Sequence, residues 1–271
     1  MSSAESPVLL EIADGVATIT LNRPQVLNAL NNAMADALFA ALAKVEADAG
    51  ARVVVFRGAG DAFMAGGDIG YFRDKLTEHA ADKNGFKPYV RAMVERAQKL
   101  SLAIRQMPKP VVASIKGGCA GFGLSLALAC DLAIAADNSK FTLAYIHLAT
   151  VPDGGSSFLL PRIVGQKRAA EIALLGDRFG AAEAERWGLV NKVVPLADLE
   201  AETAKLAARI ARGPAKAYAG TKALLEAANR NSLLDQLQAE IEGFTACALS
   251  DDFEIGVSAF IDKKPAAFTG K

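Results

Sequence analysis

Residues 110–131 constrain the fold more than any other stretch. Val111, Val112, Ala113, Ser114 and Ile115 form a short β-branched, mostly apolar run of the kind that becomes a strand buried on both faces. Gly117, Gly118, Gly121 and Gly123 then remove side chains where the backbone must turn sharply or admit a close neighbour. From Leu124 to Ala129 the only polar residue is Ser125, so the helix that follows is expected to be buried all round. Free N–H groups gathered at such a strand-to-helix turn suit an anion or a developing oxyanion, and a tight connection that binds nothing has the same pattern.

Other apolar runs repeat the theme. Residues 8–12 and 16–21 flank Asp14-Gly15, a two-residue hairpin signal. A helix over residues 33–49 places Met34, Leu38, Leu42 and Val45 at helical spacing, with Gly50 closing it. Residues 52–58 form a second buried strand leading into another glycine loop, Phe63-Met64-Ala65-Gly66-Gly67-Asp68-Ile69. There the Ala65 amide is expected to be free, and Asp68 can also be read as a plain helix cap. Residues 71–87 are polar and irregular and predict a surface excursion in which His79 is solvated; a helix is expected over residues 88–106. Strands over residues 132–136 and 141–143 follow, and then Asp153 in a glycine-flanked loop before a helix over residues 158–164. Helix cap and functional acid are compatible readings of Asp153. After a strand over residues 188–194 the chain becomes helical, with Leu237, Ile241, Phe244 and Ala248 on one face and Asp251 and Glu254 resembling a capping box. Strands alternating with helices imply an α/β fold.

At 271 residues, 52% hydrophobic, the chain has much apolar surface to bury, some of it expected between subunits. Lys plus Arg and Asp plus Glu are both 30, and no basic block stands out, so neither a nucleic-acid nor a membrane partner is expected. Cys119, Cys130 and Cys247 lack metal-ligand spacing and read as reduced cysteines; no metal site is expected. Residues 1–7 lack a basic flank and apolar signal core, and no run approaches the ~20 apolar residues of a membrane span, which predicts a cytoplasmic protein.

Several motifs in order resemble the crotonase (enoyl-CoA hydratase/isomerase) superfamily: Asn22-Arg23-Pro24 with Asn28-Ala29-Leu30, Phe63 to Asp68, Gly117 to Asp131, Pro152-Asp153-Gly154-Gly155 with Leu160-Pro161-Arg162, Ala184 to Val190, and Phe260 to Pro265. The resemblance spans nearly the whole chain and is nearest to the enoyl-CoA isomerase and ring-epoxide phenylacetyl-CoA isomerase branch. It implies a spiral α/β core of ββα units over residues 1–197, a helical trimerisation region over 198–271, and homotrimers or hexamers built as dimers of trimers. Fatty-acid or phenylacetate metabolism is the implied setting. The implied substrate is an acyl-CoA thioester, with no permanently bound cofactor. The CoA is expected to bend between residues 23–29, with Arg23 and Ala29, and the loop holding Ala65, Gly66, Asp68 and Ile69, beside Gly118. Phe260, Lys263 and Lys264 of a neighbouring subunit would close over the nucleotide end, although such lysines can equally be solvated tail residues.

By the same resemblance the amides of Ala65 and Phe122 hold the thioester oxygen as it becomes an enolate; Phe122 stands where many relatives have glycine or alanine. Typical hydratases carry two glutamates, and the matching positions here are Ser125 and Tyr145, neither a carboxylate. Asp153 matches the acid/base position of certain isomerases, which implies that it shifts a double bond as sole acid/base. Hydratase-like lyase chemistry, an aspartate nucleophile as in a dehalogenase branch, and CoA binding without turnover are the alternatives.

Overall fold

The Asp14-Gly15 pair has φ of 50° and 80° at its two residues, the backbone that a two-residue hairpin turn needs, and it joins β1 (Val8–Ala13) to β2 (Val16–Leu21) in antiparallel register. The computed structural model describes residues 6–271, the Lys83 side chain excepted. Next come α1 (Asn32–Ala47), capped by the Asn31 side chain, β3 (Val53–Gly58), α2 (Ile69–Glu78) and α3 (Lys83–Gln106). The central stretch gives β4 (Val111–Ile115), β5 (Gly118–Ala120) and α4 (Phe122–Ala129), followed by β6 (Leu132–Ala136), β7 (Lys140–Thr142), a 3-10 turn (Tyr145–Leu148), α5 (Ser156–Val164) and α6 (Gln166–Leu175). β8 (Phe179–Gly180), α7 (Ala181–Arg186), β9 (Lys192–Val194), α8 (Leu199–Ala211), α9 (Ala215–Ala227), α10 (Leu233–Ala248) and α11 (Asp251–Ile261) complete the chain.

Six strands form one sheet in the order β1-β2-β3-β4-β6-β9, parallel except for the hairpin; β5, β7 and β8 form a second. The unit that recurs is a large-sheet strand, a small-sheet strand and a helix. β4-β5-α4 and β6-β7-α5 are full copies, and after β3 the isolated bridge between Met64 and Cys119 takes the place of the small-sheet strand before α2. This is the expected spiral of ββα units. Every residue of α4 is buried, as its nearly all-apolar sequence requires. Around it the core gathers Ile19, Leu21, Phe56, Phe63 and Phe141, each large side chain worth about 1.5–3 kcal/mol on burial. α8 covers the opposite face of the large sheet, setting Ala207, Ile210 and Ala211 on Val53, Val55 and Val112.

Two expectations need correction. Residues 71–87 are mostly helical: Asp68 caps α2 and Asp82 caps α3, while Tyr71, Phe86 and Tyr89 pack ring on ring between them, with His79 beside Phe86. Local caps and aromatic contacts supply the order that the polar composition hides. The cap of α11 is Ser250, which accepts the Phe253 N–H, so Asp251 and Glu254 lie in the first helical turn and form no capping box.

Candidate active site

The two glycine loops are laced together by backbone hydrogen bonds. Phe63 and Met64 N–H both donate to the Gly118 carbonyl at 3.1 Å, and Ala120 N–H donates to the Met64 carbonyl at 2.9 Å. The contact is so close that a Cβ on Gly123 would lie 2.2 Å from the Met64 oxygen. Only glycine fits there. Gly66, at φ +96°, backs onto the Phe122 amide: a Cβ at Gly66 would sit 3.4 Å from Phe122 N.

This geometry reassigns one expected donor. Ala65 N–H is not free, because it donates to the Leu27 carbonyl at 2.9 Å. One turn of the loop further, Leu30 N–H donates to Gly66 O at 2.7 Å and Asp68 N–H to Leu30 O at 2.9 Å, so the residue between, Gly67, has its own N–H turned away from Leu30. Among the described residues neither Gly67 N–H nor Phe122 N–H meets an acceptor. Phe122 opens α4 behind Gly121, where helical N–H groups have no partner inside the helix. Gly67 and Phe122 thus each carry an unclaimed donor, one on each loop, as do their neighbours Gly66 and Gly123.

The expected CoA-side residues form one bonded frame. Arg23 donates to the Ala29 carbonyl at 2.5 Å and to Asp68 Oδ2 at 2.9 Å, while Asp68 Oδ1 accepts the Tyr71 N–H. Asn28, fully buried, sends its amide to the carbonyls of Ala59, Ala62 and Phe63. Leu27 and Asn28 both have positive φ, so residues 27–28 make a sharp bend against the loop. Arg23, Ala29, Gly66, Asp68 and Ile69 thus lie along one edge, with half-exposed Ile69 as its apolar face. Phe260, Lys263 and Lys264 lie elsewhere, at the end of α11, where Lys263 N–H donates to the Phe260 carbonyl and Lys264 N–H to the Ala259 carbonyl; Phe260 is 86% exposed.

The Asp153 side chain does not cap α5. Its Oδ1 accepts the Tyr145 hydroxyl at 2.5 Å, and its backbone carbonyl accepts Ser125 Oγ at 3.0 Å and Ser156 Oγ at 2.8 Å. Ser125 Oγ and Tyr145 Oη are 3.3 Å apart. The three positions singled out in the sequence as the possible seats of carboxylates therefore meet in one hydrogen-bonded cluster. Burial pushes the Asp153 carboxyl above its ordinary range, and the Tyr145 hydroxyl draws it partly back. Burial, together with the adjoining carboxylate, pushes the Tyr145 phenol far up, so it stays a donor. The Phe122 ring ties this cluster to the amide pair: a Cβ on Gly154 would sit 2.8 Å from that ring.

Chemically, the site offers unclaimed amides on two adjoining loops, one partly buried carboxylate able to hold or release a proton, and a hydroxyl that bonds it. Among the described residues no group of three His, Cys, Asp or Glu is placed to hold a metal. Among the described residues no helix is long and apolar enough to cross a membrane. Sequence reasoning missed Gly67, whose signal was the second glycine of Gly66-Gly67-Asp68, and missed Tyr145 as a partner of Asp153, for which eight residues of irregular chain gave no periodic cue.

Unclaimed backbone donors at two adjoining glycine loops are suited to a developing negative charge on oxygen. The family model for enoyl-CoA hydratase/isomerase matches residues 11–271, and the chain belongs to that family as an acyl-CoA enzyme. It is 40% identical over 261 residues to a Rhodobacter capsulatus protein described as a probable enoyl-CoA hydratase, covering 96% of this chain and 97% of that one. It is 37% identical over 265 residues to the 1,2-epoxyphenylacetyl-CoA isomerase of Escherichia coli, covering 97% and 98%. The crystal structure of an enoyl-CoA hydratase from Bacillus anthracis superposes with a TM-score of 0.89 at 32% identity, covering 98% of this chain and all of that one.

Proposed function

We propose that the protein is an enoyl-CoA isomerase that moves a double bond through an enolate, with Asp153 as its only acid/base. The observation that carries this reading is the Asp153 carboxylate, bonded to Tyr145 and next in the chain to Gly154, which packs on the Phe122 ring; by resemblance, Ser125 and Tyr145 stand where hydratases keep glutamates. The thioester oxygen of a 3-enoyl-CoA accepts Gly67 and Phe122 N–H. Asp153 takes a proton from C2, the electron pair moves into the thioester, and the dienolate oxygen is held by both amides. The protonated Asp153 then gives its proton to C4, the double bond settles at C2–C3, and the carboxylate is restored. Each preorganised donor supplies roughly 3 kcal/mol to such a charge. One carboxylate suffices because no water is added or lost. The edge formed by Arg23, Ala29, Asp68 and Ile69 would take the CoA arm, and α9 to α11 would form the trimer contact; the exposure of Leu234 (78%), Phe244 (68%) and Phe260 (86%) supports an apolar partner there. The 37% identity to an isomerase supports the same chemistry.

The test is conversion of trans-3-hexenoyl-CoA to the conjugated 2-enoyl thioester, read by ultraviolet absorbance. Asp153→Asn is expected to lower the rate by about 100-fold to 10,000-fold. A rate within a few-fold of wild type would remove Asp153 from the chemistry.

A further inference from the structure

We infer that Tyr145 is the positioning residue for Asp153, fixing which carboxylate oxygen handles the proton; this rests on the reading of Asp153 as acid/base. The phenol reaches Oδ1 at 2.5 Å. Oδ2 has no donor among the described residues and is not sealed in. The Asp153 backbone carbonyl is pinned by Ser125 and Ser156, so with Tyr145 in place both the main chain and one oxygen of the carboxylate are fixed. Tyr145 is itself placed by an unusual bend. It opens a 3-10 turn between Ala144 (φ 55°) and Ala149 (φ 52°), two left-handed alanines, and its ring packs against the main core cluster.

The arrangement suits a shuttle. When Asp153 is ionised, Tyr145 donates to Oδ1; when Asp153 carries the substrate's proton on Oδ2, the same bond to Oδ1 persists. One hydrogen bond therefore serves both halves of the reaction, and only Oδ2 changes state. The phenol keeps its own proton throughout, which makes it an orienting donor and not the acid. A glutamate on the same turn would offer a second proton carrier. A tyrosine offers direction alone.

The other groups facing Asp153 are neutral: Ser125 and the Phe122 ring from α4, and Ser156 from α5. His147, on the same turn as Tyr145, points its Nε2 at the Gly176 carbonyl, and Arg162 of α5 stacks on Phe158. Tyr145 is thus the partner whose loss changes the Asp153 carboxylate directly.

Tyr145→Phe removes the hydroxyl and keeps the ring. With trans-3-hexenoyl-CoA we expect kcat to fall about 10-fold to 100-fold while KM stays within about 3-fold. The acid limb of kcat/KM is expected to move to higher pH, because a bond that favours the carboxylate is gone. A purely structural tyrosine would leave that limb in place. If Tyr145→Phe fails to fold, 3-fluorotyrosine placed at residue 145 is a stronger donor of nearly the same shape and is expected to move the limb to lower pH. Wild-type kcat and an unmoved limb in Tyr145→Phe, or an unmoved limb with fluorotyrosine, overturns the inference. Asp153→Asn run alongside separates the two claims: an inactive Asp153→Asn with a silent Tyr145→Phe rejects Tyr145 alone, whereas an active Asp153→Asn rejects the isomerase reading beneath it.

Discussion

The ring of Phe122 rests on Gly154, close enough that a single Cβ on Gly154 would meet two ring carbons at 2.8 and 2.9 Å. Phe122 supplies an unclaimed amide and Gly154 follows Asp153, so this contact links the two loops, and the same Cβ would meet Ser125 Cβ at 2.9 Å. Gly154→Ala, at φ +59°, is expected to cost about 1–3 kcal/mol and to lower kcat, and the cost should shrink in the Phe122→Ala background, which vacates the ring. Thermal melts and initial rates of both single variants and the double variant measure this coupling.

Asp153 should trade stability for activity. Its folded pKa lies above the unfolded one, so its favourable contribution is complete below the unfolded value and is lost as pH rises through the folded value. Asp153→Asn is therefore expected to raise Tm at neutral and alkaline pH, by about 2–4 °C per kcal/mol of relieved burial, with the gain vanishing in acid. Melting curves from pH 4 to 8 check the sign, and a gain that grows toward acid would contradict it.

Arg23 is committed within the protein, since it spans the Ala29 carbonyl and Asp68 with both side chains 16% exposed. Arg23→Ala is expected to lower Tm and raise the KM for CoA thioesters together, because it frees the loop that carries Gly67. Removing both charges in Arg23→Ala/Asp68→Asn should cost less than the sum of the single losses. A KM effect with no change in Tm would instead make Arg23 a plain CoA ligand.

Lys222 joins α9 to the core: its Nζ reaches Asp131 Oδ2 at 2.7 Å, Ile104 O at 2.8 Å and Lys109 O at 3.2 Å, and it is 8% exposed. Lys222→Ala leaves these acceptors short of a donor and is expected to cost about 3–5 kcal/mol, read by urea denaturation.

Deleting the chain beyond Asp262 is a poor probe of Lys263 and Lys264. The 97%-buried Asp252 accepts the N–H groups of Thr269 and Gly270, so truncation strands a buried carboxylate. Lys263→Ala/Lys264→Ala spares that clamp. It is expected to hold Tm within about 1 °C and to weaken CoA binding at low salt, measured by calorimetry.

Much of the fold was legible because it rests on periodicity: Asp14-Gly15 with its flanking strands, the β-branched run of Val53 to Phe56, and the unbroken apolar face of Leu124 to Ala129 all specify one structure. What escaped was short or non-periodic. β5 is three small residues, and β8 is two, held by pairing with β7 that no local pattern announces. Gly50 was expected to close α1, yet Asp48 is the C-cap: its N–H donates to the Lys44 carbonyl while its side chain accepts the N–H groups of Gly50 and Ala51. At the site, Asp153 was visible as a residue type in a glycine frame. Its bond to Tyr145 depends on two left-handed alanines, a conformation that alanine's sequence signature does not carry.

The lacing of residues 63–64 to residues 118–120 separates what can drift from what cannot. The Gly67 and Phe122 N–H groups are peptide groups carried by a backbone ladder, so their spacing depends on main-chain hydrogen bonds and not on the side chains around them. Residues 125, 145 and 153, by contrast, meet largely through side chains, which the ladder does not hold. An acid in place of Ser125 or Tyr145 would therefore set a second carboxylate beside Asp153 without touching that ladder.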